Sequence, residues 1–222
     1  MSSSTLFRLS GVALIVGSLL ATVGFFLWRI FGSSFEEFGS FRMSTDLLLL
    51  AGFLVLLIGL PGMYAYQAHR AGRLGLVSFV MVFLGLAAHE VSTAPLTTFV
   101  PPLLASRPET QALVAQPDTL ESELGTVWIA YYLTFLLIYY LGIVVLGVAT
   151  LRARVFPRWA AVLLIAGPLV GILGGAFVPV AQDVGLAAIV VGWVWCGYAL
   201  VAGKTGANQA TPQARGAPQP TA

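Results

Sequence analysis

Long apolar runs separated by short polar segments dominate the hydrophobic pattern of this chain. Six segments of about 20 residues or more are predominantly apolar, which is long enough for a helix to cross the hydrocarbon core of a bilayer. Several of these runs are apolar on every face, whereas the strands of a membrane barrel alternate apolar and polar residues. The pattern therefore predicts an all-α membrane protein, a bundle of six transmembrane helices. The predicted spans are residues 6–30, 47–66, 74–94, 124–151, 159–180 and 184–202.

The composition excludes most soluble classes of protein. Of the 222 residues, 58% are hydrophobic and only 9% are charged, whereas a soluble domain has about 25% charged residues. A soluble enzyme, a nucleic-acid-binding protein and a disordered chain are therefore excluded. The single cysteine, Cys196, rules out an internal disulfide and any paired-cysteine site. Because it lies inside an apolar run, we expect a buried and unreactive thiol.

The charged residues sort by side when the six spans are threaded through a membrane with the N-terminus in the cytoplasm. Eight basic residues then fall on the cytoplasmic side and three on the outer side, while all nine acidic residues fall on the outer side or its boundary. Cytoplasmic loops are enriched in lysine and arginine, so both termini are predicted to be cytoplasmic. The basic residues of the inner side are Arg8, Arg70, Arg73, Arg152, Arg154, Arg158, Lys204 and Arg215.

The predicted loops differ in size on the two sides. The inner loops, 67–73 and 152–158, leave no room for a cytoplasmic catalytic domain. The outer loop 95–123 is long enough to form a small cap, with a short helix near 108–115. The fourth helix is too long for the membrane if it begins near Thr119, so we expect it to protrude, to tilt or to break near Gly125. Residues 204–222 have no large apolar side chain and are expected to be a disordered cytoplasmic tail.

Three glycines recur every four residues on one face of the fifth predicted helix: Gly167, Gly171 and Gly175. Small residues at this spacing let two helix backbones approach closely. The face is expected to be an internal helix contact, with a homo-oligomer contact as the alternative.

Two adjacent ionisable residues lie in the outer third of the third helix, His89 and Glu90. Ionisable side chains are costly in a membrane and are therefore candidates for function. Adjacent helical residues point about 100° apart, so the pair is not expected to chelate one ion. One interpretation is an interhelical ion pair of Glu90 with Arg29. A second is an outward-facing pocket that the pair shares with aromatic residues of the fourth and sixth helices, Tyr132, Tyr139, Trp193 and Trp195. A third is simple exposure of the pair to the outer headgroups, and the alternative role of the aromatic rings is to fill space opposite the glycines of the fifth helix.

Recognisable catalytic and cofactor motifs are absent from the sequence. It has no glycine-rich phosphate loop, no metalloprotease motif and no nucleophile elbow. Its two histidines, His69 and His89, are predicted on opposite sides of the membrane and so cannot share a metal or a haem. No cofactor, no metal, no catalytic residue and no nucleic-acid partner are predicted.

Three short motifs occur together in this chain: the Arg-Ala-Arg-Val-Phe-Pro-Arg-Trp stretch at 152–159, the opening Phe-Arg-Leu-Ser-Gly at 7–11, and the acid Glu90. Together they resemble a broad bacterial family of six-helix inner-membrane proteins that is catalogued as a domain of unknown function. The chain departs from the family pattern in that Ala160 stands where leucine is usual, and His89 has no place in the pattern. The likeness spans about residues 6–202. It implies a multi-pass protein of the bacterial plasma membrane and no particular chemistry.

Three functions remain open at this point. The first is a structural, accessory or sensing bundle embedded in the lipid bilayer, whose acidic outer loops meet an extracytoplasmic partner or a cation. The second is a small-solute or proton-coupled transporter with its site at His89 and Glu90. The third is a membrane-embedded enzyme acting on a lipid or isoprenoid substrate, which the lack of catalytic motifs disfavours.

Overall fold

The computed structural model describes residues 3–31, 39–91, 108–109 and 117–203. All regular structure in these ranges is helical, as the apolar runs predict. Two five-residue turns, at Ala87–Val91 and Val170–Gly174, are π-helical and continue the helices before them. The α-helices are α1 (Ser3–Phe31), α2 (Gly39–Leu86), α3 (Pro117–Ala153), α4 (Arg158–Leu169) and α5 (Pro179–Ala202).

Four helical stretches are long and apolar enough to cross a membrane, by length and composition. They are Ser4–Leu27, Ser44–Val91, Gly125–Ala153 and Pro179–Ala202, and Arg158–Gly174 is a shorter apolar helix. Large apolar side chains also cover the outside of the bundle: Ile58, Val127, Trp159 and Phe177 are 70%, 82%, 68% and 87% exposed. Exposed large apolar side chains occur on every α-helix of the described residues, and a soluble monomer rarely exposes so much apolar surface. The fold is thus an all-α bundle compatible with an integral membrane protein.

The longest helix, α2, turns back on itself at Gly72. The rings of Tyr64 and Phe79 stack with their centroids 4.8 Å apart, although residues 15 apart in a continuous helix are separated by about 22 Å. Gly72 has φ 57° and ψ −148°, a backbone conformation that is open to glycine and strained for other residues. α2 therefore consists of a first arm, residues 39–71, and an antiparallel second arm, residues 73–86. The predicted span 47–66 lies on the first arm. The predicted span 74–94 begins on the second arm and continues into the π-helical turn, and its last residues, 92–94, lie outside the described residues.

Consecutive segments pack antiparallel to one another. α1 lies against the first arm of α2, the second arm lies against α3, α3 against α4, and α4 against α5, which closes back onto α1. Glycines occupy most of these crossings and bring the backbones close together. The paired residues include Gly24 with Leu49, Gly85 with Tyr139, Gly147 with Ile165, Gly192 with Leu164, and Gly11 with Gly197.

Large side chains from all five helices fill the interior. The fully buried ones include Leu14, Leu60, Ile143, Leu164 and Trp193, which belong to one apolar cluster. Cys196 is in the same cluster and is 0% exposed. Its burial agrees with the expected unreactive thiol.

The glycine stripe of the fifth predicted helix faces α5. A Cβ atom on Gly167 would lie 2.8 Å from the carbonyl oxygen of Gly185, and one on Gly171 would lie 3.7 Å from the Cα of Gly185. Gly175 is opposite Gln182 on the same side. The stripe thus forms an internal contact, which is the first of the two interpretations.

The backbone of α3 departs from helical geometry at Gly125, with φ 69° and ψ −171°. The fourth predicted helix was expected to protrude, to tilt or to break near Gly125, and the structure shows the break. Most of the predicted outer loop 95–123 lies outside the described residues, including the short helix expected near 108–115 except for residues 108–109. The tail 204–222 also lies outside them.

Charged residues gather at the two ends of the bundle. The ring of Tyr66 contacts those of Phe7 and Phe156 at centroid distances of 5.1 and 5.6 Å, so the start of α1, the turn of α2 and the α3–α4 connection share one end. Among the described residues, this basic end holds six exposed arginines, and Asp46, Glu90 and Asp183 lie toward the other, acidic end. The arginines of the basic end are Arg8, Arg70, Arg73, Arg152, Arg154 and Arg158.

Candidate functional site

The second arm of α2 passes into a π-helical turn, Ala87–Val91, at the acidic end. A π-helical turn accommodates one extra residue in a helix and is frequent at functional sites. The hydroxyl of Tyr131 in α3 donates a hydrogen bond to the carbonyl oxygen of Ala88, with an O···O distance of 2.9 Å. This bond ties α3 to the turn.

His89 and Glu90 bind each other within this turn. The Nδ1 atom of His89 and the Oε1 atom of Glu90 are 2.9 Å apart, and the two side chains are only 7% and 21% exposed. Adjacent side chains on a regular α-helix point about 100° apart. In the π-helical turn the two side chains instead converge on one hydrogen bond.

Tyrosines of α3 surround the pair. The ring of Tyr132 is tilted against the His89 imidazole at a centroid distance of 4.5 Å. Further along α3, Tyr139 lies against Gly85, one helical turn before His89, and its ring contacts that of Tyr140 at a centroid distance of 5.3 Å. Tyr139 is buried, at 6% exposure, whereas Tyr132 is 38% exposed. The site thus extends from the surface of the acidic end toward the core.

The predicted pocket residues divide into three groups. His89, Glu90 and Tyr132 lie together in the site, and Tyr139 lies one helical turn from them against Gly85. Trp193 is 1% exposed and belongs to the same apolar cluster as Tyr139, deeper in the bundle. Trp195 is 40% exposed on the outside of α5.

Two tyrosines that are not among the predicted pocket residues lie beside them: Tyr131 is bonded to Ala88, and Tyr140 packs on Tyr139. Each is adjacent in sequence to a tyrosine that was included. The signal in the sequence is the two tyrosine pairs, 131–132 and 139–140, which lie eight residues or about two helical turns apart. The π-helical turn that brings Ala88 to Tyr131 has no such signal in the sequence.

The two residues of the expected interhelical ion pair have different partners here. The Nε atom of Arg29 is 3.2 Å from the Oδ1 atom of Asp183, and the side chains are 40% and 24% exposed. The pair joins the end of α1 to the start of α5, and Glu90 pairs with His89. An ion pair this exposed to water is worth about 1 kcal/mol or less.

The chemistry of the site is that of proton binding and hydrogen bonding. Imidazole is the side chain that changes its charge between about pH 5 and 8, and with Glu90 ionised a proton on His89 turns a hydrogen bond to a carboxylate into an ion pair. No cluster of three or more His, Cys, Asp or Glu side chains suited to a metal ion occurs among the described residues.

Comparison with known proteins adds no relative to this picture. No protein-family model matches the chain, and neither a curated protein nor a solved structure matches it significantly. The resemblance to a bacterial six-helix family stays a prediction from short motifs, and the site has to be interpreted from its own chemistry.

Proposed function

We propose that this protein is a six-crossing integral membrane protein that senses protons at its extracytoplasmic end. The crossing count is supported by the length of α2, whose 48 residues would span about 72 Å as one helix. That is more than twice the hydrocarbon thickness of about 30 Å. The contact of Tyr64 with Phe79 and the backbone of Gly72 divide α2 into two arms, each of which supplies one crossing.

The orientation is supported by the separation of charge between the two ends. Cytoplasmic segments of membrane proteins are enriched in arginine and lysine. The basic end, with its six exposed arginines, is therefore cytoplasmic, and the acidic end with His89 and Glu90 faces the outside. For a bacterial protein, this membrane is the plasma membrane.

Cysteine labelling tests this topology. In a Cys196→Ala background, Arg73→Cys at the basic end is expected to resist a membrane-impermeant maleimide in intact cells and to react only after permeabilisation. Glu109→Cys, in an exposed turn of the outer loop, is expected to react in both conditions. Labelling of Arg73→Cys in intact cells would contradict the proposed orientation.

The sensing role rests on one observation, the 2.9 Å bond between His89 and Glu90 in a π-helical turn. Protonation of the pair changes the charge at a largely buried site. This site joins the second arm of α2 to α3 through two contacts, the Tyr131–Ala88 hydrogen bond and the Tyr132–His89 ring contact. A change of charge there alters the packing of two crossings, which is how a proton signal reaches the rest of the bundle.

The pH response of the turn is expected to require His89. Hydrogen exchange of the backbone at residues 87–91 should change between pH 5 and 8, after correction for the intrinsic pH dependence of exchange, in the wild-type protein. It should become pH-independent in His89→Gln, and Glu90→Gln should weaken it. The difference in thermal unfolding midpoint between wild type and His89→Gln should also depend on pH. Between pH 5 and pH 8 this difference should change by about 2–4 °C, which is equivalent to about 1 kcal/mol.

The matched control is the only other histidine, His69, which is exposed at the basic end. His69→Gln should leave the response of residues 87–91 intact. If His89→Gln retained the full pH response, the sensing proposal would be wrong. If His69→Gln removed it, the protonatable group would lie at the other end.

A second function, proton-coupled transport of a small polar solute, has one observation in its favour. The indole N–H of Trp193 is buried and has no hydrogen-bond partner among the described residues, and Trp193 shares an apolar cluster with Tyr139 of the site. A polar solute reaching this depth would accept that hydrogen bond. Proton flux in proteoliposomes under a pH gradient, lost in Glu90→Gln, would favour transport over sensing. The third hypothesis, an enzyme acting on a lipid or isoprenoid substrate, gains no specific observation.

A further inference from the structure

The connection between α3 and α4 concentrates positive charge at the basic end. α3 ends at Ala153 and α4 begins at Arg158. Arg152, Arg154 and Arg158 are all exposed, as are Arg70 and Arg73 beside the turn of α2.

The connection is held firmly against the bundle. Phe156 is 5% exposed, and its ring lies 5.6 Å from that of Tyr66 in the first arm of α2. Two backbone hydrogen bonds fix the ends of the connection, each with an N···O distance of 3.1 Å. The N–H of Arg154 donates to the carbonyl oxygen of Thr150, and the N–H of Ala160 donates to the carbonyl oxygen of Pro157. Three arginines are thus presented from a fixed backbone, so a partner that binds them need not order a loose loop.

Arg154 occupies a backbone conformation that usually belongs to glycine. Its φ is 53°, and it is the only non-glycine residue with positive φ in the described part of the chain. The left-handed conformation after a helix end is normally taken by glycine, because a Cβ atom is strained there. Gly203 has this role at the end of α5, with φ 59°. An arginine in this position costs stability relative to glycine, which makes its guanidinium group a candidate for function.

The adjacent Trp159 gives the depth of these arginines. It is 68% exposed, and tryptophan is enriched where the acyl chains meet the headgroups. The guanidinium groups of the connection consequently lie at the level of the lipid phosphates. Among the described residues, the carboxylates of Asp46, Glu90 and Asp183 lie toward the opposite end, so they do not neutralise this surface.

We propose that the α3–α4 connection binds the phosphate of an anionic phospholipid in the cytoplasmic leaflet through Arg152, Arg154 and Arg158. Guanidinium groups form paired hydrogen bonds with phosphate oxygens. A lipid with a net negative charge is also attracted electrostatically by the nearby Arg70 and Arg73. The proposal rests on the membrane placement given above.

Lipid titration of the purified full-length protein tests the proposal. Fluorescent phosphatidylglycerol is titrated into protein in phosphatidylcholine nanodiscs, and binding is followed by energy transfer from tryptophan. Arg154→Gly is expected to weaken binding about fivefold, the loss of one basic residue near a membrane surface. Because glycine suits a φ of 53°, the same variant is expected to unfold at a higher temperature than wild type in phosphatidylcholine alone. A substitution that merely damaged the fold would lower both the lipid affinity and the unfolding temperature.

The controls separate the connection from general electrostatics. Arg154→Lys keeps a charge and should retain most of the affinity, and Arg29→Gln, at the acidic end, should retain all of it. Unchanged affinity in Arg154→Gly, or an equal loss in Arg29→Gln, would overturn the proposal. Displacement of the lipid by millimolar inorganic phosphate would also overturn it, because the site would then take free phosphate.

Both faces of a nanodisc are accessible to lipid, so this measurement does not depend on the orientation in cells or on His89. A failure of lipid binding is therefore distinguishable from a failure of the cysteine-labelling or hydrogen-exchange results.

Discussion

Replacing Gly185 by alanine is expected to lower the free energy of unfolding by about 2–3 kcal/mol, the usual cost of overpacking. A Cβ atom at this position would lie 2.5 Å from the Cα and N atoms of Gly171 and 2.6 Å from the carbonyl oxygen of Gly167. All three neighbouring atoms are backbone, so no side chain can rotate away, and α4 must separate from α5. Equilibrium unfolding in detergent, followed by circular dichroism, measures the loss.

Gly171→Ala is the matched control from the same crossing. Its Cβ would have its nearest neighbours at 3.7 and 3.8 Å, which is ordinary van der Waals contact. Alanine is the better helix former by about 1 kcal/mol, so this variant should be neutral or slightly more stable. If both substitutions changed the free energy of unfolding equally, the close approach of α4 and α5 at Gly185 would not contribute to stability.

Trp193→Ala is expected to cost about 3–5 kcal/mol, as for other large buried aromatic residues. Trp193 is 1% exposed and packs in the central cluster with side chains from the other helices. Its removal leaves a cavity that five helices cannot close without moving. Trp195, two residues later on the same helix, is 40% exposed, and Trp195→Ala should cost less than about 1 kcal/mol. Unfolding in the same detergent compares the two, and similar losses would contradict the burial of Trp193.

Trp193→Phe separates the packing of this residue from its hydrogen bonding. It keeps an aromatic ring in the core but removes the indole N–H, which has no hydrogen-bond partner among the described residues. We expect a loss of less than half that of Trp193→Ala, since only part of the ring volume is removed. A loss as large as that of alanine would mean that the N–H has an essential partner, such as a bound water or solute, and would strengthen the transport hypothesis.

Much of the helical architecture could be predicted because apolar length is a local property. The runs at 6–30 and 184–202 are found in α1 and α5. The turn of α2 was predictable as well, since Arg70 and Arg73 interrupt the apolar run on either side of Gly72. The conformation of Gly72 and the stacking of Tyr64 on Phe79 could not be predicted, because they depend on how the two arms meet.

The candidate site was only partly predictable. His89 and Glu90 stood out because ionisable residues are rare in apolar runs, and Tyr132 and Tyr139 because they share a helical face. The partners of the charged residues were a different matter. Depth along the helices made Arg29 a plausible partner for both Glu90 and Asp183, and only the lateral order of the helices, with α1 beside α5, pairs it with Asp183.

By itself the sequence determined that this chain forms long apolar helices with its charges between them, since hydrophobicity and helix length are additive along a chain. The tertiary structure alone decided that His89 and Glu90 bind each other in a π-helical turn, that α1 closes against α5, and that Gly167 and Gly171 face Gly185. These outcomes depend on close contacts between residues far apart in sequence. Such contacts are decided by the shape of both surfaces together, which neither segment encodes alone.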